Sequence, residues 1–175
     1  LLAKVQIHDK TKIQLKAAGG VDVKTPLSSL RWNGQLTELS SSGKIPIRLM
    51  SPTKVSISPE QASLGQTTFS ISDGHIHIDQ LQWTPQDWKT RGNFTGIALL
   101  PGEHPELKQP FLHLGGHWDF TSNTQLTGNL HIHREKGDWY LPGEIPQPIG
   151  LEIMQLKLAA RDEKITGKFE LISQY

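Results

Sequence analysis

Apolar and polar residues alternate with a period of two along most of this chain, and that alternation predicts strands. The clearest unit is DGHIHIDQLQWTPQDWKTRGNFTG, from Asp73 to Gly96. Gly74, Ile76 and Ile78 fall on one face with His75 and His77 opposite; Trp88, Thr90, Gly92, Phe94 and Gly96 repeat the pattern with Lys89, Arg91, Asn93 and Thr95 opposite. Thr84-Pro85-Gln86-Asp87 supplies the turn between them, because proline presets φ and aspartate bonds its own backbone. The unit reads as a hairpin with one apolar and one wet face. The same alternation runs through Ile13, Leu15 and Ala17, through Leu112, Leu114, Gly116, Trp118 and Phe120, through Leu126, Gly128, Leu130 and Ile132, and through Ile165, Gly167, Phe169 and Leu171.

Between these segments the punctuation is less regular. Gly19-Gly20 is expected to turn the chain into Val21 and Val23, and Arg31-Trp32-Asn33-Gly34 to make a second tight turn. Thr25 to Leu30 suits a single helical turn with Thr25 as N-cap and Pro26 at the first helical position. Ile45, Ile47 and Leu49 share a face, but Pro46 cannot donate to a ladder, so an edge or a bulge is expected there. Val55 and Ile57 form a short strand, Ser58 to Gly65 reads as a loop, and Phe69 with Ile71 leads into the central hairpin. Leu99 to Pro110 reads as an irregular excursion, and Ser122-Asn123 as a turn. Leu151 with Ile153, and Leu156 with Leu158, continue the strands after a segment rich in glycine and proline.

One local device recurs within the alternating segments: glycine, any residue, then an apolar residue, as at Gly34/Leu36, Gly74/Ile76, Gly92/Phe94, Gly116/Trp118, Gly128/Leu130 and Gly167/Phe169. Each glycine removes bulk from the apolar face beside a large side chain, and glycines are one way in which sheets acquire curvature. The intervals of 40, 18, 24, 12 and 39 residues exclude a fixed solenoid period and fit a meander of unequal hairpins. The expected fold class is therefore all-β: one elongated, curved, antiparallel-rich sheet forming a trough with an apolar concave face, occupying residues 1–175 as a single segment of a longer protein.

Composition narrows the function more by exclusion than by motif. With 16 Gly, 11 Pro and 35% hydrophobic residues, much of the sheet must face water. Lys plus Arg, 18, nearly balance Asp plus Glu, 17, so there is no electrostatic case for nucleic acid. The absence of cysteine excludes a disulfide framework or a thiolate zinc site. No G-x-S-x-G elbow and no phosphate-cradling glycine loop is present, and Glu135, Asp138, Asp162 and Glu163 fall in apparent turns without a convergent base, so no catalytic residue and no cofactor is assigned. His75-Ile76-His77 and His131-Ile132-His133 each put two imidazoles on one face; two such pairs on neighbouring strands would build a four-histidine metal site. Imidazole is also tolerated at exposed strand positions, and no metal ligand is assigned. Trp88 and Trp118 share a face with glycine and phenylalanine, which suits an apolar lining better than a sugar platform, and Trp32, Trp83 and Trp139 read as core or rim packing.

The blocks WNGQLTELSSSGKIPIRL, DGHIHIDQLQWTPQDWKTRGNFTGIAL, LHLGGHWDF, TGNLHIHREKGDWYL and PIGLEIMQLKL, in that order and spacing, resemble the TamB family of translocation and assembly module subunits, within the AsmA-like and bridge-like lipid-transfer group. The resemblance runs from about Arg31 to the C-terminus. It implies a periplasmic segment of a protein anchored in the inner membrane of a Gram-negative bacterium, reaching toward an outer-membrane barrel partner of the TamA type. It also implies a long sheet curled around an apolar interior, serving phospholipid movement between membranes, the assembly of outer-membrane proteins such as autotransporters, or both.

Two roles follow for the apolar face. In the first it is a non-enzymatic conduit for acyl chains, lined by Leu36, Ile45, Ile47, Phe69, Ile71, Ile76, Ile78, Phe94, Leu112, Leu114, Trp118, Leu130, Ile132, Ile165 and Phe169. In the second, the same trough or a free sheet edge takes up strands of nascent outer-membrane proteins by augmentation. A closed β-sandwich or sugar-binding module is the remaining alternative, and requires those same side chains to interdigitate with a second sheet.

Overall fold

The computed structural model describes residues 2–7, 11–22, 30–43, 45–99, 112–141 and 147–174. It is all-β, and no helix occurs among the described residues. The strands are β1 (Leu2–Ile7), β2 (Thr11–Val21), β3 (Trp32–Ser42), β4 (Ile47–Leu49), β5 (Thr53–Ser58), β6 (Gln61–Leu64), β7 (Thr67–Ile71), β8 (Gly74–Trp83), β9 (Trp88–Leu99), β10 (Leu112–Ser122), β11 (Leu126–Gly137), β12 (Tyr140–Leu141), β13 (Gln147–Pro148), β14 (Leu151–Arg161) and β15 (Lys164–Ser173). All but β12 and β13, which pair with each other, belong to one 13-stranded sheet in which every pairing is antiparallel.

The order is simpler than the strand count. β4 and β5 both pair with β3, one at each end, and β6 and β7 both pair with β8 in the same way. Each couple is one strand broken in the middle, by Met50-Ser51-Pro52 on one side and Gly65-Gln66 on the other. The sheet is thus a meander in chain order with a crease across two adjacent strands. Proline cannot supply a ladder N–H, so the break falls at Pro52. Bonds from Met50 N–H to the Thr68 carbonyl at 2.9 Å, from Gly65 N–H to the Lys54 carbonyl at 2.8 Å and from the Thr53 hydroxyl to the Gln66 carbonyl at 3.2 Å hold the halves together. Thr53 and Thr67, at the crease, are each 3% exposed.

The central hairpin forms as its alternation predicts. Its turn is closed by Thr84 N–H on the Asp87 carbonyl at 2.6 Å and Asp87 N–H on the Thr84 hydroxyl at 2.9 Å. Three expectations change. Gly19-Gly20 does not turn the chain; it lies inside β2, with Gly19 facing Gly34 of β3 in register. Arg31–Gly34 is not a tight turn, because β3 begins at Trp32 and pairs with β2 on one side and β5 on the other. Ser58 to Gly65 is not a loop: Ala62 and Leu64 pair with Ile57 and Val55, leaving Pro59-Glu60 as the turn. Small polar residues in Gln61–Leu64 mask a strand whose pairing is supplied by long neighbours on both sides. The expected helical turn from Thr25 lies outside the described residues except for Leu30, as does the Leu99–Pro110 excursion except for Leu99, which ends β9.

No second layer covers the sheet among the described residues. The substantial contacts between strands all run between sheet neighbours. Buried apolar residues are correspondingly few: Leu49, Leu112, Leu151 and Ala160. The expectation of a sandwich, in which the apolar side chains interdigitate with a facing sheet, is not met by these strands.

Candidate functional site

Residues directly opposite one another in an antiparallel ladder project to the same side, so the register sorts the side chains by face. Leu49, Phe69, Ile76, Phe94, Gly116, Ile132, Leu156 and Phe169 form one continuous row across eight strands from β4 to β15. At about 4.8 Å per strand the row is roughly 34 Å long. A second row, Thr67, Ile78, Gly92, Trp118, Leu130, Leu158 and Gly167, runs beside it, and a third carries Val55, Leu64, Leu81, Thr90, Phe120, Gly128, Ala160 and Ile165.

Of the residues expected to line a groove, Phe69, Ile76, Ile78, Phe94, Trp118, Leu130, Ile132, Ile165 and Phe169 stand in these rows. Ile47 and Ile71 pair with each other one step away, Leu36 pairs with Thr53, and Leu112 and Leu114 pair with Leu99 and Ile97 on the same face. Ile45 departs from the set. It lies before β4, outside any strand, and is 55% exposed, because the strand starts only after Pro46, whose carbonyl is taken by Ser72 N–H at 3.0 Å. Bulges reset the phase in several strands, as at Lys16/Ala17, Ile78/Gln80 and Leu114/Gly116, and each keeps apolar residues on the same face where strict alternation would lose them. Leu151 and Ile153 are separated by such a bulge and face opposite sides.

The face holds more than the expected residues. Leu49, Leu64, Leu81, Phe120, Leu156, Leu158, Trp32 and Trp83 join it through the same pairings. Leu156 and Leu158 were readable from their spacing, whereas Leu64 was hidden by its polar neighbours. Toward the ends of the sheet the side chains are open: Ile57 is 51% exposed, Trp83 45%, Ile165 68% and Phe169 60%. Arg134 also falls on this side, opposite Leu114, and its guanidinium is held by the carbonyls of Gly137 at 2.8 Å and Glu152 at 3.2 Å.

The glycines of the recurring device are not empty positions. A Cβ on Gly92 would lie 2.6 Å from the Trp118 ring, and one on Gly116 would lie 2.6 Å from the Phe94 ring. Gly92-x-Phe94 and Gly116-x-Trp118 run antiparallel, so each strand's ring lies over the other strand's glycine, and the two rings stack with centroids 6.4 Å apart. The Trp118 indole donates to the Thr90 hydroxyl at 2.9 Å. Trp32 covers Gly34 of its own strand and Gly19 of β2. The expectation of a face hollowed at glycine is therefore revised: neighbouring-strand rings fill the hollows at Gly92, Gly116 and Gly128, Trp32 of the same strand fills that at Gly34, Leu158 borders Gly167, and Gly74 packs against the Gly96 backbone.

The opposite face is polar. His75 and His77 on β8 do not meet His131 and His133 on β11, because β9 and β10 lie between. The four-histidine site built from those pairs does not form. His77 instead bonds the Thr68 hydroxyl at 2.8 Å and approaches Asp79 at 3.3 Å. His131 meets His117 across the strands and His133 along its own, with ring centroids 5.4 Å apart in both cases. Burial pushes His131 below the usual imidazole range; a hydrogen bond with Gln155 works against this, and Lys157, His117 and His133 add to it. Among the described residues no group of three or more His, Cys, Asp or Glu side chains is placed to hold a metal ion. No family model, curated protein or solved structure matches the chain.

Proposed function

We propose that the apolar face is a non-enzymatic lipid-contacting surface, the sheet curling into a trough along which phospholipid acyl chains lie, in a periplasmic segment of a protein bridging the inner and outer membranes. The single observation carrying this reading is the unbroken row from Leu49 to Phe169, in register across eight strands and without a second layer over it among the described residues. An exposed apolar patch larger than a few hundred Å² is rare on a protein with no use for it. At about 0.8 kcal/mol per methylene removed from water, an acyl chain of ~16 carbons gains on the order of 12 kcal/mol before entropic costs. Such a surface needs no polar recognition, and neighbouring rows of similar composition let a chain slide. The resemblance of the sequence blocks to the TamB family supports the compartment and the barrel partner in this reading.

The test is photocrosslinking in the full-length protein in cells, with a benzophenone side chain at Ile132 or, on the opposite face, at Asn93. Phospholipid adducts at Ile132 and none at Asn93 are expected, and Ile76→Asp is expected to lose them while keeping its strand circular dichroism. Equal labelling on both faces, or none at Ile132, refutes the proposal.

A second reading is favoured by one feature. β15 pairs only with β14 among the described strands, and it carries Ile165 and Phe169 well exposed, so its outer edge suits augmentation by a client strand of a nascent outer-membrane protein. Lipid protects side chains of the apolar face, whereas a client strand protects the edge amides of β15 from hydrogen exchange.

A further inference from the structure

The polar face holds an arrangement that the lipid reading does not use. Register places His117 opposite His131, His131 opposite Lys157, and Lys157 opposite Lys168, so four basic side chains stand in one row over β10, β11, β14 and β15. The two lysines are like charges directly opposite one another, an arrangement that weakens a sheet. The neighbouring acids neutralise this row only at its edge: Glu170 accepts a hydrogen bond from Gln155 and forms a 3.9 Å ion pair with Lys168, while Asp119 is placed opposite Arg91 and Asn129 and no carboxylate among the described residues pairs with Lys157. The row borders an open groove of about 600 Å³, to which Asn129 and Thr166 add polar side chains. Within the cluster, Nε2 of His131 and Nδ1 of His133 are enclosed without a hydrogen-bond partner.

We propose that this groove binds a tetrahedral oxyanion of the phosphate class, held by Lys157 and Lys168 with His117 and His131 beside them. A compact dianion offers several acceptor oxygens to donors on adjacent strands, and it offsets the mutual repulsion that the row otherwise carries. The site lies on the side of the sheet away from the apolar rows and stands independently of the lipid reading. In the free protein His131 is held below the usual imidazole range by burial, and further by Lys157, His117 and His133 against the Gln155 bond; the balance favours its neutral form. An anion among these groups reverses that field, so it takes up protons on binding, and affinity rises as pH falls.

The phosphate comes either from a free phosphorylated solute or from a lipid headgroup. Sulfate keeps its charge over the range of interest, which isolates the histidine contribution. Sulfate and inorganic phosphate are titrated into the isotope-labelled chain and followed by amide and imidazole chemical shifts at about pH 5.5 and pH 8. Saturable shifts confined to the four-strand row are expected, with sulfate bound roughly fivefold or more tightly at the lower pH. Lys157→Ala and Lys168→Ala, at exposed positions, are each expected to weaken binding about fivefold, while Lys164→Ala at the β14–β15 turn leaves it unchanged. His131→Gln removes the pH dependence. Vesicles containing phosphatidylglycerol, against phosphatidylcholine alone, separate the sources: row-specific shifts with vesicles that exceed those with free phosphate assign the headgroup, and the converse assigns the solute. Shifts that do not saturate, that spread over all lysines, or that survive both Lys157→Ala and Lys168→Ala overturn the proposal.

Discussion

The crossed glycine–ring pairs make a prediction whose sign is unusual. Glycine in a strand interior ordinarily weakens the fold, and replacing it by alanine gains about 0.5–1 kcal/mol where the backbone permits. Gly92 and Gly116 should behave in the opposite way. A Cβ at Gly92 meets the Trp118 ring at 2.6 Å and the His77 carbonyl more closely still, so neither the ring nor the backbone stays where it is. Displacing the ring costs overpacking strain of about 1–3 kcal/mol, loosens the stack with Phe94, and removes the indole bond to Thr90, worth about 1 kcal/mol. We expect Gly92→Ala to destabilise the chain by about 2–4 kcal/mol, and Gly116→Ala by a similar amount. The control is Gly20→Ala, because nothing lies within 4 Å of a Cβ placed there.

The measurement is equilibrium urea unfolding followed by circular dichroism in the strand band, with the slope checked for a constant two-state transition. Because the cause is a ring over a glycine, Trp118→Leu should relieve part of the effect. The double-mutant cycle of Gly92→Ala with Trp118→Leu is expected to show a coupling of at least ~1 kcal/mol. Gly92→Ala as stable as Gly20→Ala, or additivity in the cycle, refutes the idea that these glycines seat aromatic rings.

Three further outcomes are expected. The Glu135 carboxylate crosses Gly115 to accept Gly96 N–H at 2.8 Å, where Gly96 has φ of 64°, so Glu135→Ala should cost about 1 kcal/mol and speed exchange of the Gly96 amide selectively. Asp138 accepts the N–H groups of Trp139 at 2.8 Å, Gly150 at 3.1 Å and Leu151 at 3.0 Å; Asp138→Ala should free the start of β14 at a cost of about 1–3 kcal/mol, read as faster exchange at Leu151 than at Leu158. His131 has its folded-state pKa lowered, so its contribution to stability is present above the unfolded value near 6.5 and is lost as pH falls through the folded one; the urea midpoint should drop below about pH 6.5, and His131→Gln should flatten that drop.

How far the sequence discloses this architecture depends on whether a strand's signal lies in its own residues or in its neighbours. Gly74–Ile78, Trp88–Phe94 and Leu112–Phe120 alternate strongly enough to be read alone, and their face assignments agree with the register. Gln61–Leu64 has no such signal, since its pairing depends on Val55, Ile57 and the end of β8. Gly19-Gly20 and Trp32-Asn33-Gly34 carry the composition of turns, yet the Trp32 ring needs bare backbone beneath it, and that tertiary demand outweighs local turn preference. Bulges are equally invisible, because the extra residue is defined only by the strand opposite, as with Leu151 and Ile153. The basic row His117, His131, Lys157 and Lys168 is spread over 52 residues of chain and becomes a neighbourhood only through three consecutive registers.

A sheet with no covering layer among its described residues must draw its order from within its own plane. Here the ladder hydrogen bonds are continuous, but most apolar side chains are only half-buried, and Leu112 is the largest fully enclosed one. The crossed rings at Gly92 and Gly116, the Glu135 bridge over Gly115 and the creased pair of strands at Thr53 and Thr67 all fix register without a facing sheet among the described residues. That division of labour is what the proposed lipid-contacting surface requires. Were the apolar rows the principal source of stability, they would have to be sealed, and a sealed face has no room for a guest. With register fixed through glycine seats and polar clips, the greasy rows are left half-open, and on the proposed reading an acyl chain settling on them adds stability by mass action instead of displacing an existing core.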